Sequence, residues 1–200
     1  MQKDLSLGKI IALVSIILNI AIFGTKGFIG LGVGSLALMS DSLHSFSDSA
    51  SSLAVYLGLK ISEKPADETH PFGHGRAEHV ALLAVGLMLL IAALKFMTDG
   101  AMALMKGTEP IEMNFVFYVI VGITAVIKEV MAEASYIIGE RLDSDSLKAD
   151  AWHHRSDAIT TVLVLGSIYA THLGYPMLDP IAGIGISVLL GYIEIGRAHV

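Results

Sequence analysis

The sequence predicts an all-α membrane protein of six transmembrane helices, with both termini on the cytoplasmic side and a three-plus-three arrangement like an inverted repeat. Three observations lead there. The 200-residue chain is 54% hydrophobic and only 16% charged, with a mean hydropathy of +0.67, whereas soluble domains carry about 25% charge. Six segments approach the roughly 20 mostly apolar residues that a spanning helix requires. Finally, one polar pattern, D-x-x-H-x-x-x-D, occurs twice, as DSLHSFSD (41–48) and DAWHHRSD (150–157), inside segments that would run in opposite directions.

The first segment, about 9–31, follows MQKDLSLGKIIALV. That start resembles a secretory signal but lacks a small-residue cleavage site, and its apolar run continues too far; it is read as a retained helix. Gly32 to Gly34 separates it from the second, 34–60. The polar loop SEKPADETHPFGHGR (62–76), with two prolines and two glycines, interrupts helix before the third, 77–101. KGTEPIEMN (106–114) precedes the fourth, 114–138, and GERLDSD (139–145) the fifth, 146–172. HLGYPMLDP (172–180) leads into the sixth, 177–196. Ser144 or Asp145 is the expected cap of the fifth helix, and Asp179-Pro180 that of the sixth. With the N-terminus placed inside, Lys3, Lys9, Lys60, Lys64, Arg76, Arg141 and Lys148 are cytoplasmic and only Lys106 is external, in keeping with the positive-inside bias. The 62–76 loop is then cytoplasmic.

A charged side chain at the bilayer centre costs roughly 2.5–3.5 kcal/mol on insertion scales, so such residues face partners or cavities. Positions i and i+4 share a helix face. His44 therefore lies beside Asp48, and His153 beside Asp157, each pair near the middle of its segment. The three polar positions repeat at one offset (Asp41 to Asp150, His44 to His153, Asp48 to Asp157). Inverted repeats place transporter sites near the midplane. Two imidazoles and two carboxylates form an N₂O₂ set suited to a tetrahedral divalent ion, zinc above all, whereas magnesium and calcium prefer oxygen shells. Protons compete with metal for such groups, which is the physical basis of antiport. The alternative is that both motifs only hold helices together by buried hydrogen bonds. Asp41 and Asp150 are either partners of the histidines or pathway charges. In the loop, Asp67, His70 and His74, with Glu68 adjacent, form either a second metal site or a solvated acidic turn.

The stretches SLALMSDSLHSFSDSASSLAV (35–55), DETHPFGHGRAEHVALLA (67–84), DAWHHRSDAITTVLVLGS (150–167) and LDPIAGIGIS (178–187) together resemble the cation diffusion facilitator family over nearly the whole chain. The resemblance implies a six-helix domain that exports divalent transition metals, usually as a homodimer and usually against protons. It implies an intramembrane site at His44, Asp48, His153 and Asp157, the two-histidine version being similar to zinc-preferring members, and a loop site at Asp67, His70 and His74. Cd²⁺, Co²⁺, Fe²⁺ and Mn²⁺ remain possible cargo beside Zn²⁺. Relatives of this kind carry a soluble cytoplasmic domain after helix six, and this chain stops at residue 200. Residues 1–193 are taken as the transmembrane domain. EIGRAHV (194–200) breaks the apolar pattern, matches a translated sequencing adapter and is read as a non-native tail, so Glu194, Arg197 and His199 are given no role.

Other polar residues have plainer readings. Lys95 and Asp99 are spaced for an ion pair. Glu129 and Glu133 share a face and either line a cation path or pair with Lys128, Lys26 or Arg155. His154 is interhelical or water-facing, and His79 and His172 are interfacial. Met88, Met97, Met102, Met105 and Met131 are packing residues. Gly27, Gly30, Gly32, Gly34, Gly183 and Gly185 allow close helix approach; with no βαβ unit they are no dinucleotide fingerprint. The absence of cysteine removes disulfides and thiolate ligands. The expected partners are divalent metal ions, protons and the lipid bilayer of the inner membrane, with no nucleic acid. Two rival functions are a passive channel and an intramembrane zinc hydrolase. The hydrolase would need an open metal position and a general base, and no H-E-x-x-H occurs.

Overall fold

The computed structural model describes residues 2–62, 71, 77–142 and 145–197. Six helices occupy them: α1 Gln2–Val33, α2 Leu36–Ser62, α3 Ala77–Lys106, α4 Phe115–Leu142, α5 Asp145–His172 and α6 Leu178–Arg197. No strand occurs among the described residues. α1, α2, α5 and α4 form a closed ring of neighbours, while α3 and α6 pair beside it against α2, with α6 also reaching α5. The ring makes α2 and α5, the two helices with the repeated motif, direct neighbours at its centre. Contact between α2 and α6 has no counterpart between α5 and α3 among the described residues, so the two halves are not packed as equivalent triplets.

The polarity of the bundle is inverted relative to a water-soluble one. Leu13, Ile17, Leu83, Leu87, Ile91, Val126, Val130, Val162 and Leu163 are exposed, whereas Lys26, Asp41, Lys128 and Asp157 are buried. In water this would expose large apolar patches and bury charge, both unfavourable. In hydrocarbon both choices are favourable. Three runs, Leu13–Val33, Leu83–Lys106 and Phe115–Arg141, are long and apolar enough to span a membrane, and α6 adds the shorter Leu178–Ile193. α2 and α5 are equally long, at 27 and 28 residues, but their hydropathy is lowered by the polar residues they carry inward. Serines 40, 42, 45, 47 and 49 are all buried along α2. Their small side chains let four neighbouring helices approach. Their hydroxyls find local acceptors, Ser45 on the Asp41 carbonyl and Ser49 on the Ser45 carbonyl, and Ser42 crosses to the Phe23 carbonyl of α1.

The apolar core sits at one end of the ring, where Ile29, Ala37, Leu38, Val121, Val164 and Ile168 meet. At this end α1 stops at Gly34, whose φ of 72° is costly for a residue with a Cβ. α2 then starts at Ser35, whose Oγ accepts from the Leu38 amide at 3.1 Å. Asp179 does not cap its own helix as expected. Its carboxylate accepts from the Ser35 hydroxyl and from the Leu36 and Ala37 amides at 2.8 and 3.4 Å. It therefore neutralises the positive end of α2 from across the bundle, because α6 passes directly against that end. α4 is capped by Asn114, whose Oδ1 accepts from the Val116 amide at 3.0 Å.

The expected close approaches hold at only some glycines. A Cβ on Gly27 would lie 2.9 Å from Ser42 Oγ, one on Gly30 3.2 Å from the Met39 amide, and one on Gly183 2.9 Å from the Leu36 carbonyl carbon. At Gly32, Gly34 and Gly185 nothing lies within 4 Å, so those three do not serve helix contact; Gly34 serves the turn. Gly183 faces backbone, which cannot step aside. Gly183→Ala is expected to destabilise the bundle by about 1–3 kcal/mol through overpacking, read as a lowered melting temperature in detergent, while Gly185→Ala leaves it unchanged.

Candidate metal centre

The two copies of the motif meet. His44, Asp48, His153 and Asp157 each offer one donor atom, and these four atoms lie within 4.8 Å of one another. The pairing is crosswise. His44 of α2 faces Asp157 of α5, Nε2 to Oδ1 at 3.2 Å, and His153 of α5 faces Asp48 of α2, Nε2 to Oδ2 at 3.0 Å. His153 Nε2 also lies 3.7 Å from Asp157 Oδ2, and the two imidazole centroids are 5.8 Å apart. The cause is local. Each helix presents its i and i+4 pair on one face, and the ring turns those faces toward each other. His44 and Asp157 are buried and His153 is about a third exposed, so the cluster is reached from the α5 side. A tetrahedral ion with bonds of about 2.0–2.2 Å separates its donors by about 3.4 Å. The present set is somewhat wider and would close by rotamer adjustment.

A residue not assigned to this site from the sequence joins it. Lys128 of α4, fully buried, places Nζ 2.5 Å from Asp157 Oδ2 and 4.0 Å from Asp48 Oδ2. It spans the carboxylates of both motif helices, and neither Glu129 nor Glu133 is its partner. Those two glutamates bind Arg155 on the outer surface of the α4–α5 pair, at 2.9 and 3.2 Å, and do not line a path to the centre. The signal in the sequence was a lysine at the end of the apolar run FVFYVIVGITAVI, followed by Glu129; it gave no spacing relation to α2 or α5.

One turn toward the apolar core lies a second buried layer. Lys26 Nζ of α1 is 2.8 Å from Asp41 Oδ2 of α2 and donates to Thr161 Oγ1 of α5 at 2.7 Å. Thr161 in turn donates to the Asp157 carbonyl at 2.9 Å. Asp41 is thus committed to a lysine and not to His44. This layer and the apolar core beyond it close the four-donor cluster on that end. At the other end Asp150, half-exposed, faces His154 Nε2 at 3.3 Å and accepts from Ser135 at 3.0 Å. His154 is buried against Asp150 and is not one of the four clustered donors, so the two copies of the first aspartate have different partners.

The remaining residues take simpler places. Lys95 and Asp99 form the ion pair their spacing suggested, at 3.3 Å. His172, at the end of α5, lies beside the Tyr118 ring at a centroid distance of 6.5 Å. Met88, Met102 and Met105 face outward and Met131 is buried. The loop residues Asp67, His70 and His74, and the side chain of His79, lie outside the described residues.

Comparison with known proteins agrees with this architecture. Residues 12–196 match the family model described as the cation efflux transmembrane domain. The chain is 40% identical over 177 residues to the magnetosome protein MamB of Magnetospirillum gryphiswaldense, covering 86% of this chain and 59% of that protein. It is 36% identical over 178 residues to an uncharacterized transporter of Methanocaldococcus jannaschii, covering 89% and 62%. It is 29% identical over 164 residues to the manganese efflux system protein MneP of Bacillus subtilis, covering 82% and 54%. The chain therefore spans less than two-thirds of the length of these relatives. With 185 consecutive positions matched to the family model and an inside-out helical bundle to match, the chain is a multi-pass membrane protein that belongs to the cation diffusion facilitator family and carries its cation efflux transmembrane domain.

Proposed function

We propose that this domain carries divalent transition-metal ions out of the cytoplasm across the inner membrane in exchange for protons, with His44, Asp48, His153 and Asp157 as the transport site. The observation that carries the reading is the crosswise meeting of one imidazole and one carboxylate from each of two adjacent helices. Such a set suits zinc, and it accommodates cobalt, cadmium, iron and manganese less selectively. The relative named for manganese efflux makes manganese the principal competitor. With the basic residues placed inside, the exposed edge of His153 faces the cytoplasm, and the Lys26–Asp41–Thr161 layer faces outward. Cargo enters past Asp67, His70 and His74, binds between α2 and α5, and leaves when the outer layer opens. Protons reaching the same ligands displace it, because metal binding requires them deprotonated. A homodimer is the assembly that accompanies this reading. The hydrolase alternative falls with membership of a transporter family, and the channel alternative is separated by experiment.

The test is counter-transport in sealed vesicles loaded with a zinc-sensitive dye. An imposed pH gradient is expected to drive zinc uphill, and manganese in competition with it. Movement only down the metal gradient, indifferent to pH, would identify a channel.

A further inference from the structure

We propose that Lys128 is a tethered cation that competes with the transported ion for Asp48 and Asp157, keeping divalent binding reversible and giving monovalent ions no advantage. This rests on the transport reading of the four-donor set and adds to it a regulating residue from a third helix.

Four observations support it. Lys128 is fully buried, so its charge needs an anion nearby. Its Nζ touches Asp157 Oδ2 and reaches Asp48 Oδ2 at 4.0 Å, one carboxylate from each motif helix, and these are the two anions any bound metal must share. The other buried lysine among the described residues, Lys26, is engaged a turn away by Asp41 and Thr161, so it neither relieves Lys128 nor substitutes for it. The surface glutamates are likewise held by Arg155.

The consequences follow from charge. With neutral imidazoles, two carboxylates and one ammonium leave the cluster with a single negative charge. A sodium or potassium ion that displaces the lysine exchanges one positive charge for another and gains nothing. A divalent ion gains, but must first take Asp157 Oδ2 from the ammonium and then tolerate it a few ångströms away, a repulsion of substantial size at any effective dielectric constant of a protein interior. A lysine suits this role because it is a compact charge on a flexible four-carbon stem, able to withdraw along α4 and return when the cargo leaves. The return supplies the counter-charge that makes release possible without leaving two carboxylates facing each other.

The experiment measures zinc affinity at fixed pH and salt on the purified chain in detergent, by competition with a fluorescent chelator, for wild type, K128M, K128R and D157A. Folding is checked by melting temperature. K128M is expected to bind zinc roughly tenfold or more tightly and to release it more slowly. K128R, which keeps the charge, is expected to stay close to wild type. A loss of side-chain packing would move both variants alike. K128Q gives the same readout if K128M does not fold. D157A is expected to lose binding. If D157A loses binding while K128M and K128Q bind zinc no more tightly than wild type, the role of Lys128 is overturned and the transport site stands. If D157A binds as wild type does, the site itself is wrong, and the proposal falls with it.

Discussion

Asp157→Ala is expected to reduce metal flux in vesicles to background and to weaken zinc binding by more than about a hundredfold, a larger loss than removal of an outer partner of a ligand brings. Asp157 meets three other groups of the centre. One oxygen faces His44, and the other faces Lys128 and the imidazole of His153. Its removal deletes one of the four donors, takes from His44 its acceptor on α5, and leaves the buried Lys128 with Asp48 at 4.0 Å. Breaking a buried ion pair from one side costs about 3–5 kcal/mol, so a lower melting temperature should accompany lost transport. Asp157→Asn separates the two effects. It keeps a hydrogen-bond acceptor for Lys128 and is expected to recover part of the stability but none of the flux. Glu129→Gln and Glu133→Gln are the controls, since their partner Arg155 lies on the outer surface; normal zinc flux is expected from both. Normal flux in Asp157→Ala protein that has inserted into the membrane would remove the transport site.

The sequence anticipates the helices well because a spanning helix is specified locally, by a run of apolar side chains and the breaks between runs. The segment 34–60 corresponds to Leu36–Ser62 and 146–172 to Asp145–His172. α1 extends further back, to Gln2, because its polar first turns continue the same helix beyond the apolar run. That His44 and Asp48 share one face and His153 and Asp157 another was also legible, since it needs only the i, i+4 rule; the expectation that the two faces meet came from the repeated motif and the family resemblance. What was not legible depends on helices being neighbours. Nothing in the spacing connects Lys128 to Asp157, or Lys26 to Asp41 and Thr161. Asp179 lies one residue before a proline at the start of a helix, the position of a local cap, and only the passage of α6 across the end of α2 directs it to Leu36 and Ala37. The two copies of the first aspartate look equivalent in sequence, yet Asp41 meets a lysine and Asp150 a histidine, because α1 beside α2 presents Lys26 to Asp41 whereas α4 beside α5 presents Ser135 to Asp150.

Asp41→Asn is expected to destabilise the bundle by about 3–5 kcal/mol, and Lys26→Met by a similar amount, because each leaves the other charge buried without its partner. The two side chains are 0% and 1% exposed and 2.8 Å apart, so solvent screening cannot soften the loss. Thr161 offers Lys26 a hydroxyl at 2.7 Å, but a hydroxyl does not neutralise an ammonium. The double variant Asp41→Asn/Lys26→Met is therefore expected to regain most of the lost stability, as buried pairs replaced on both sides commonly do, and a double-mutant cycle of melting in detergent measures the coupling. Transport should not follow stability. The pair ties α1 to α2, and Thr161 ties α5 to both, immediately beyond the four-donor cluster. A bundle in which that layer is no longer ionic should seal that end less tightly, so the refolded double variant is expected to leak metal down its gradient while wild type does not. Full stability with undiminished coupling to a pH gradient would show that the layer holds the helices together without acting as a barrier.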